Sequence, residues 1–415
     1  MLVSFATSQS FSAIWIPKCL LVTCLLVIVL FNGQLLPTVM AQTLEPTKEP
    51  LAVRSLAFSA DDRWLAIACS SSTGIKEGRL IVWDIEKQQR VLERATPDVG
   101  MTSVDFSQDG VLAAGQFAPQ ALLIDVLRDE TIGELTGHTD HVRAVKFTHD
   151  GKRLVTGSYD KTVKVWDLNS RTAMVTLVGH ANAIYCISIS TDDSLVAVAV
   201  GKEPYQAWLW DLNKPGEPRA KYRAFGSLLP TIAISPDSQS IAAGSWDGKV
   251  SLFRVEDTGR QRSLEFDGAG EDCVSFSPDN RWFAASGNSV HVMSLPNNTA
   301  ASEAQTRELF NLLDDENYQV RTQATEQLTA MGLQIQQSLM DGLSSNSAEV
   351  RWRSRKIQAE IGSMKTAREL TSHVGERIQT AFSKSGRWMA SGDNIGAVKL
   401  WDTDTWSEKQ AFQIE

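Results

Sequence analysis

The stretch Gly137–Asp167, GHTDHVRAVKFTHDGKRLVTGSYDKTVKVWD, decides the fold. It contains three short runs in which apolar and polar residues alternate, Val142–Phe147, Leu154–Thr156 and Val163–Trp166. Alternation with a period of two is typical of strands that bury one face. Turn residues separate the runs, among them Asp150-Gly151, and Asp and Gly are favoured in tight turns. The stretch therefore predicts a meander of antiparallel strands joined by hairpins.

Poorer copies of this unit run through the rest of the chain, and two features mark each copy. The first is a large apolar residue followed by Ser or Thr, at Ser59, Ser107, Thr148, Ser190, Ser235, Ser277 and Ser383. The second ends the third run, at Asp84, Asp125, Asp167, Asp211, Arg254, Ser294 and Asp402. Five intervals between these second markers are 40–44 residues long and the last is 108. Both markers therefore predict seven copies, with about 67 additional residues in the sixth.

The Gly-His pair that opens the best copy and the Trp-Asp pair that closes it resemble the signature of the WD-repeat (WD40) family. Gly-His pairs recur at Gly137 and Gly179, and Trp-Asp pairs end the copies at Asp84, Asp167, Asp211 and Asp402. The resemblance implies an all-β fold, a seven-bladed WD40 β-propeller with one four-stranded blade per copy. It also implies a non-enzymatic scaffold whose loop faces bind other proteins.

The resemblance assigns a structural role to several polar residues. In the family, a His, a Ser or Thr, an Asp and the Trp form a hydrogen-bonded chain across a blade. The positions that fit are His138, Thr156 or Ser158, Asp160 and Trp166 in the third blade, His180 and Trp210 in the fourth, and His373, Ser391 and Trp401 in the seventh. The fourth blade has no matching Asp, and Ile395 takes that position in the seventh. Such chains satisfy buried polar groups, so these residues are expected to be structural.

The additional residues of the sixth copy change the hydrophobic period from two to about 3.6. They predict a small all-α insertion, residues 297–363, with four helices at about 302–313, 317–331, 333–342 and 347–361. Its halves match at an offset of 30 residues, with Val320-Arg321 opposite Val350-Arg351, and resemble HEAT-type helical repeats.

Strand-like sequence returns after the insertion, which predicts that the helices lie between the third and fourth strands of the sixth blade. Residues 51–296 are then expected to form blades 1–5 and three strands of blade 6. Residues 364–415 are expected to form the last strand of blade 6 and all of blade 7. The insertion should project from the face opposite the turns between second and third strands.

Residues 1–41 have the layout of a secretory signal peptide, followed by a linker at 42–50. Lys18 is the only charged residue of this segment, Cys19–Phe31 is mostly apolar, and Val39-Met40-Ala41 offers a cleavage site. The apolar run is short for a membrane span of about 20 residues. The layout predicts an exported protein of bacterial type, periplasmic or secreted. The alternative is a scaffold anchored in the membrane through residues 19–31.

Charge, cysteines and motifs exclude several classes of function. The formal net charge of −9 disfavours nucleic acid as a partner. Cys69, Cys186 and Cys273 have neither disulfide nor zinc spacing. Motifs of nucleotide-binding loops, serine hydrolases and zinc proteases are missing. No catalytic residue, metal site or cofactor is therefore assigned. The alternative function is a propeller hydrolase or lyase with acidic residues at the mouth of the central channel.

Four aromatic residues are the candidate contacts for a partner protein. Tyr159, Tyr205 and Trp246 fall in turns between second and third strands, where the alternative is packing over neighbouring loops. Trp352 lies about 200° around the last helix from Val350, away from the predicted buried stripe. Its alternative is docking on the propeller. The basic cluster that follows Val350 is expected to be a solvated face, and the propeller is expected to be monomeric.

Overall fold

The structure is a computed structural model, and it describes residues 50–71, 77–201, 203, 205–223, 226–255, 261–265, 273–295, 300–331, 335–362, 368–371 and 373–414. The predicted signal peptide and all but the last residue of the predicted linker lie outside these ranges. Within them, 28 strands form seven four-stranded antiparallel sheets.

Each sheet takes its four strands in chain order and forms one blade. Blades 1 and 2 contain β1 (Ala52–Phe58), β2 (Trp64–Ser70), β3 (Glu77–Asp84), β4 (Gln89–Pro97), β5 (Met101–Phe106), β6 (Val111–Gln116), β7 (Gln120–Asp125) and β8 (Glu130–Thr136). Blades 3 and 4 contain β9 (Val142–Phe147), β10 (Arg153–Ser158), β11 (Val163–Asp167), β12 (Thr172–Leu177), β13 (Ile184–Ile189), β14 (Leu195–Val200), β15 (Gln206–Asp211) and β16 (Ala220–Arg223).

The remaining three blades follow the same order. Blade 5 contains β17 (Thr231–Ile234), β18 (Ser240–Ser245), β19 (Lys249–Arg254) and β20 (Gln261–Glu265). Blade 6 contains β21 (Cys273–Phe276), β22 (Trp282–Ser286), β23 (Val290–Ser294) and β24 (Arg368–Leu370). Blade 7 contains β25 (Gln379–Phe382), β26 (Trp388–Gly392), β27 (Ala397–Asp402) and β28 (Glu408–Gln413). The seven blades confirm the predicted fold class.

The Ser or Thr marker succeeds because its hydroxyl closes the first turn of every blade. In blade 1, the backbone N–H of Trp64 donates to Ser59 Oγ at 2.9 Å, and in blade 7 that of Trp388 donates to Ser383 Oγ at 3.1 Å. The other five blades make the same contact with the residue that opens the second strand. A hydroxyl that captures a nearby N–H stabilises a turn. The marker therefore reports a local hydrogen bond that each turn needs.

Apolar cores fill the interfaces between neighbouring blades, and the first strands lie innermost. Seven buried clusters correspond to the seven interfaces of the ring. Blade 7 pairs its own β28 with β27, and it meets blade 1 directly. At this closure Trp83 Nε1 donates to Gln410 Oε1 at 3.2 Å, and the Trp83 ring stacks on Phe412 at 4.3 Å. Side-chain packing between blade 1 and blade 7 therefore closes the ring.

The helices lie between β23 and β24, and thus inside blade 6, since these two strands pair with each other. They are α1 (Ala300–Asn311), α2 (Tyr318–Met331), α3 (Gln336–Leu343) and α4 (Ala348–Gly362), with a 3-10 turn at Leu312–Asp314. Their apolar core is made of helical-segment residues alone, among them Leu313, Leu328 and Ile357. Of the helices in the described ranges, none has the length and apolarity to cross a membrane.

The two faces of the propeller differ in the connections that they carry. We call the face with the turns between second and third strands, which include Tyr159, Trp246 and Asn394, the upper face. Because neighbouring strands are antiparallel, connections between third and fourth strands lie on the other, lower face. The connection that contains α1–α4 therefore leaves blade 6 at the lower face.

Candidate functional site

In blade 3, four side chains form one buried hydrogen-bonded chain. Trp166 Nε1 donates to Thr156 Oγ1 at 2.8 Å, and Thr156 Oγ1 lies 2.7 Å from His138 Nε2. His138 Nδ1 lies 2.7 Å from Asp160 Oδ2. Although burial raises the pKa of Asp160, hydrogen bonds from His138 and Thr162 outweigh it and hold that pKa far below its ordinary value. The hydrogen-bonded chain ties β10 and β11 to the connection that precedes the blade.

Blade 4 has a shorter chain, because no hydroxyl stands between Trp210 and His180. Trp210 Nε1 donates directly to His180 Nε2 at 3.1 Å. The other ring nitrogen, His180 Nδ1, lies 3.0 Å from the carbonyl oxygen of Lys161. Burial is the main reason why the pKa of His180 is lowered to about 4; the charge of Lys221 acts in the same direction, and the hydrogen bond with Lys161 opposes both. This imidazole is therefore neutral at pH 7, with its proton on Nδ1.

Blade 7 has a complete chain, and its carboxylate corrects the expectation from the sequence. Trp401 Nε1 donates to Ser391 Oγ at 2.8 Å, and Ser391 Oγ lies 2.7 Å from His373 Nε2. The position equivalent to Asp160 is Ile395, which has no polar side chain. Asp393, two residues earlier, places Oδ2 3.0 Å from His373 Nδ1 instead. The carboxylate of Asp393 therefore replaces the one that is missing at position 395.

The equivalent of Asp393 in blade 3 is Ser158, which lies outside the hydrogen-bonded chain. Ser158 Oγ donates to the carbonyl oxygen of Asp140 at 2.9 Å, so Thr156 is the hydroxyl that joins the His and the Trp. His138 and His373 have fully buried side chains. Buried and satisfied groups hold the blades together, and these positions offer no access for a substrate.

An axial channel lined by the first strands of all seven blades contains a cavity of about 710 Å³. The described lining has one carboxylate, Asp105, which lies 3.2 Å from Lys146 Nζ. The cationic lining residues are Arg54, Arg143, Lys146, Arg377 and Lys384. The described lining is therefore basic in a chain whose formal net charge is −9. It does not present the group of carboxylates that the enzymatic alternative requires.

β-Bulges place four of the lining side chains. In blades 1–4, the pairing between first and second strands skips one residue. The skipped residues are Arg54, Thr102, Arg143 and Tyr185, and all four line the channel near the upper face. The equivalent pairings of blades 5–7 are regular where the structure describes them. A bulge redirects a side chain out of the sheet's alternation, so this backbone irregularity builds the upper mouth of the channel.

Three arginines, Arg54, Arg143 and Arg377, converge on this mouth, and we call them the arginine trio. Arg54 donates to Ser70 Oγ at 2.7 Å and to the carbonyl oxygen of Ser71 at 3.0 Å. Burial, together with the charges of Arg143 and Arg377, lowers the pKa of Arg54 to about 10. With this pKa, Arg54 remains charged at pH 7. The buried Nε of Arg143 has no hydrogen-bond partner among the described residues.

Aromatic rings accompany the arginine trio. The guanidinium of Arg377 lies 5.2 Å from the ring centroid of Trp246, which is 42% exposed. Tyr159 and Tyr185 pack with their ring centroids 5.3 Å apart. Burial and a hydrogen bond with Tyr159 raise the pKa of Tyr185. The mouth therefore combines fixed positive charge with neutral aromatic surface, which suits ligands that carry both acidic and apolar groups.

The four predicted partner contacts do not form one surface. Tyr159 and Trp246 both line the upper mouth. Tyr205 is half-buried just before β15 and does not line the channel. Trp352 is 56% exposed on α4 and belongs to the helical insertion, so it is not buried against the propeller.

A second exposed aromatic surface lies on the insertion, where Trp352 and Tyr318 flank Arg353. The Arg353 guanidinium carbon lies 5.6 Å from the Trp352 ring centroid and 5.9 Å from that of Tyr318, which is 67% exposed. Arg353 itself is only 4% exposed. Its Nε donates to Glu349 Oε1 at 2.7 Å and its Nη1 to Thr325 Oγ1 at 2.9 Å. Arg353 belongs to the basic cluster after Val350 that was expected to be solvated, and in the structure it is buried and hydrogen-bonded instead.

The two helical hairpins of the insertion also repeat one contact at the offset seen in the sequence. Arg321 and Arg351 each donate from Nη1 to the two backbone carbonyl oxygens five and six residues earlier, at 2.6–3.0 Å. These arginines occupy matching positions 30 residues apart. Each fixes the turn before its own helix, so the sequence match corresponds to a shared local structure.

The arginine trio was not among the residues predicted from the sequence. A weak signal exists, since Val53-Arg54 and Val142-Arg143 both open a first strand. Nothing in the sequence marks the bulges that turn these arginines toward the axis. Arg377 precedes its strand and has a different neighbourhood, so only the closed ring brings the three together.

Comparison with known proteins agrees with this architecture. Residues 40–84, 129–167, 171–211 and 220–254 match the WD40 family, described as "WD domain, G-beta repeat". Periodic tryptophan protein 2 homolog of Caenorhabditis elegans is 24% identical over 230 residues, which cover 55% of this chain and 24% of that protein. WD repeat and SOCS box-containing protein 1 of Danio rerio is 36% identical over 140 residues, which cover 32% of each chain.

WD repeat-containing protein slp1 of Schizosaccharomyces pombe is 24% identical over 244 residues, which cover 57% of this chain and 48% of that protein. The chain thus spans between 24% and 48% of the length of these three relatives. Seven four-stranded sheets and four matching segments lead to one conclusion: the chain is a seven-bladed β-propeller, four segments of which are similar to the WD40 repeat.

Proposed function

We propose that this protein is a non-enzymatic scaffold that binds other proteins through the upper face of the propeller and through the helical insertion. The exposed pair Tyr318 and Trp352, mounted around the buried Arg353, carries the proposal. Exposed aromatic residues are favoured anchors of protein interfaces. The similarity to WD-repeat proteins supports the same role, because propellers of that kind generally hold proteins together.

The arrangement around Arg353 suits binding because it is fixed before a partner arrives. Glu349 and Thr325 hold the guanidinium, and the guanidinium in turn supports both aromatic rings. A pre-organised surface loses less side-chain entropy on binding than a flexible one. The repeated contacts of Arg321 and Arg351 support our further proposal that the insertion is a HEAT-like pair of helical hairpins.

We also propose that the protein is exported and acts as a monomer in the periplasm or outside the cell, after cleavage near residue 41. The signal-like pattern of residues 1–41 supports this localisation, and the alternative is an anchor through residues 19–31. Amino-terminal sequencing of protein from the soluble and membrane fractions of its host tests it. A mature chain that begins near residue 42 supports export, whereas an intact terminus in the membrane fraction favours the anchor.

Cross-linking in the native host, followed by mass spectrometry, tests the scaffold. Wild type is compared with the variants Tyr318→Ala and Trp352→Ala and with the control Met174→Ala. Met174 is 59% exposed on the outer strand of blade 3, far in sequence from the insertion. We expect a reproducible set of cross-linked proteins with wild type and Met174→Ala that is lost with the two aromatic variants. An unchanged set in all four proteins would remove this surface from the proposal, and no cross-linked protein at all would overturn the scaffold.

A further inference from the structure

We propose that the upper mouth of the channel binds an acidic peptide segment of a partner protein, with Arg54, Arg143 and Arg377 as its carboxylate-binding groups. Trp246 and Tyr159 supply the apolar surface beside them. The inference rests on the proposed scaffold function and adds the chemical class of the partner segment.

Charge is the first argument. Three guanidinium groups share the mouth, while the single described carboxylate of the lining, Asp105, is already engaged by Lys146. Like charges held close together in a partly buried site repel one another, and an anionic ligand relieves that repulsion. Arginine recognises carboxylates with two parallel hydrogen bonds, so it gives geometry as well as charge.

Unsatisfied hydrogen bonding is the second argument. Arg143 Nε is buried and lacks an acceptor among the described residues, and Nη1 of the same side chain has a long contact of 3.4 Å with a backbone carbonyl oxygen. Buried donors are nearly always paired in folded proteins. The bulge in β9 turns Arg143 toward the channel, where a ligand carboxylate would satisfy it.

The spread of the arginines favours a peptide over a small anion. Arg54 belongs to blade 1, Arg143 to blade 3, and Arg377 lies two residues before the first strand of blade 7. They therefore enter the same mouth from three different blades. A peptide with several carboxylates can offer a separate acceptor to each of these side chains. The cavity of about 710 Å³ is large enough to admit side chains.

The test must also consider acidic residues of this chain, because their carboxylates could compete with a peptide for the arginine trio. Residues 266–272 lie outside the described residues and carry Asp267, Glu271 and Asp272. Asp272 directly precedes Cys273, which lines the channel. The variant Asp272→Asn therefore tests whether a carboxylate of this chain, rather than one of a partner, binds the arginine trio.

Fluorescence anisotropy of the full chain at low ionic strength tests the proposal. The probe is a labelled hexaglutamate peptide, with labelled hexaglutamine as the uncharged counterpart. Arg143→Gln and Arg377→Gln are compared with Arg128→Gln, whose side chain is 73% exposed in the turn between β7 and β8 at the lower face. We expect Arg143→Gln to weaken hexaglutamate binding about tenfold or more, as for one charge-assisted hydrogen bond. Arg128→Gln should leave it unchanged, and Arg143→Lys should restore part of it.

Several results would overturn the proposal. They are equal binding of hexaglutamine, equal effects of Arg128→Gln and Arg143→Gln, and hexaglutamate binding that appears only in Asp272→Asn. Binding of inorganic phosphate without hexaglutamate would make the mouth a small-anion site and also reject the peptide. Thermal unfolding of each variant verifies its fold. If hexaglutamate does not bind but cross-linking still depends on Trp352, the peptide site is rejected and the proposed scaffold function is retained. The two proposals can therefore be tested separately.

Discussion

Trp210 donates its indole N–H directly to His180, with 3.1 Å between Nε1 and Nε2, where blades 3 and 7 place a hydroxyl between the two rings. His180 can accept this hydrogen bond only while Nε2 is unprotonated. Its other nitrogen, Nδ1, donates to the carbonyl oxygen of Lys161. The geometry and the low pKa of about 4 thus agree that blade 4 is built around a neutral imidazole.

Acid should destabilise the protein through His180. Between its ordinary pKa of about 6.5 and the folded value of about 4, the unfolded chain binds a proton that the folded chain excludes. The stabilisation is fully present above about pH 6.5 and falls by about 3 kcal/mol as the pH drops to 4. Urea unfolding at pH 7.5 and 4.5 measures it for wild type and His180→Gln. We expect the acid-induced loss to be smaller in the variant, and equal losses would contradict the assignment.

Trp166→Ala should lower the free energy of unfolding by about 3–5 kcal/mol, as for a large buried aromatic residue. Trp166 is only 2% exposed and packs in the core between blades 2 and 3. Trp166→Phe keeps much of the volume but loses the N–H that Thr156 accepts, so its cost should be smaller. Chemical denaturation measures both variants. A loss below about 1 kcal/mol for Trp166→Ala would mean that the core lies elsewhere.

Asp393→Ala should cost about 2–4 kcal/mol, because several donors lose one buried acceptor. Asp393 accepts from His373 and from the backbone N–H groups of Gly375, Ile395 and Ala397. Ile395→Ala removes an apolar side chain from the same turn and is the control. Urea unfolding at pH 7 should give Asp393→Ala a clearly lower free energy of unfolding than Ile395→Ala. The reverse order would reject the role of Asp393.

The contribution of Asp393 should also depend on pH. Burial raises its pKa, but the hydrogen bond from His373 and the backbone donors outweigh burial and lower it below the ordinary value. The stabilisation is therefore present above the ordinary carboxyl pKa of about 3.9 and disappears as the pH falls through the lower, folded value. Below pH 4, the difference in free energy of unfolding between wild type and Asp393→Ala should therefore become smaller. A gap that widens there would contradict this reading.

Removal of residues 297–362, with the ends joined by a short turn, should leave a folded seven-bladed ring. Among the residues that the structure describes, the helical core contains Leu313, Leu328 and Ile357 but no propeller residue, and the neighbouring blade cores contain no helical residue. Circular dichroism and cooperative thermal unfolding measure the outcome. We expect strand signal and a single transition, and an insoluble or molten product would show that blade 6 needs its insertion.

Local chemistry explains which features could be predicted. Ser59 and its six equivalents recur because each closes a turn with a hydroxyl-to-backbone hydrogen bond between residues four or five apart. The insertion was predictable because its apolar residues change period. The carboxylate of blade 7 was not, because Asp393 reaches His373 from a register position that holds Ser158 in blade 3.

The sequence by itself determined the number of blades, the order of their strands and the place of the helices, since these depend on short-range patterns of burial and turn chemistry. Only the tertiary structure decided the character of the channel. Arg54 and Arg143 lie 89 residues apart in the chain, and their side chains meet at one mouth because two β-bulges and the closure of the ring turn them inward. A bulge depends on how neighbouring strands pair, and ring closure depends on packing between blades 1 and 7, which are distant in the sequence, so neither leaves a local signal.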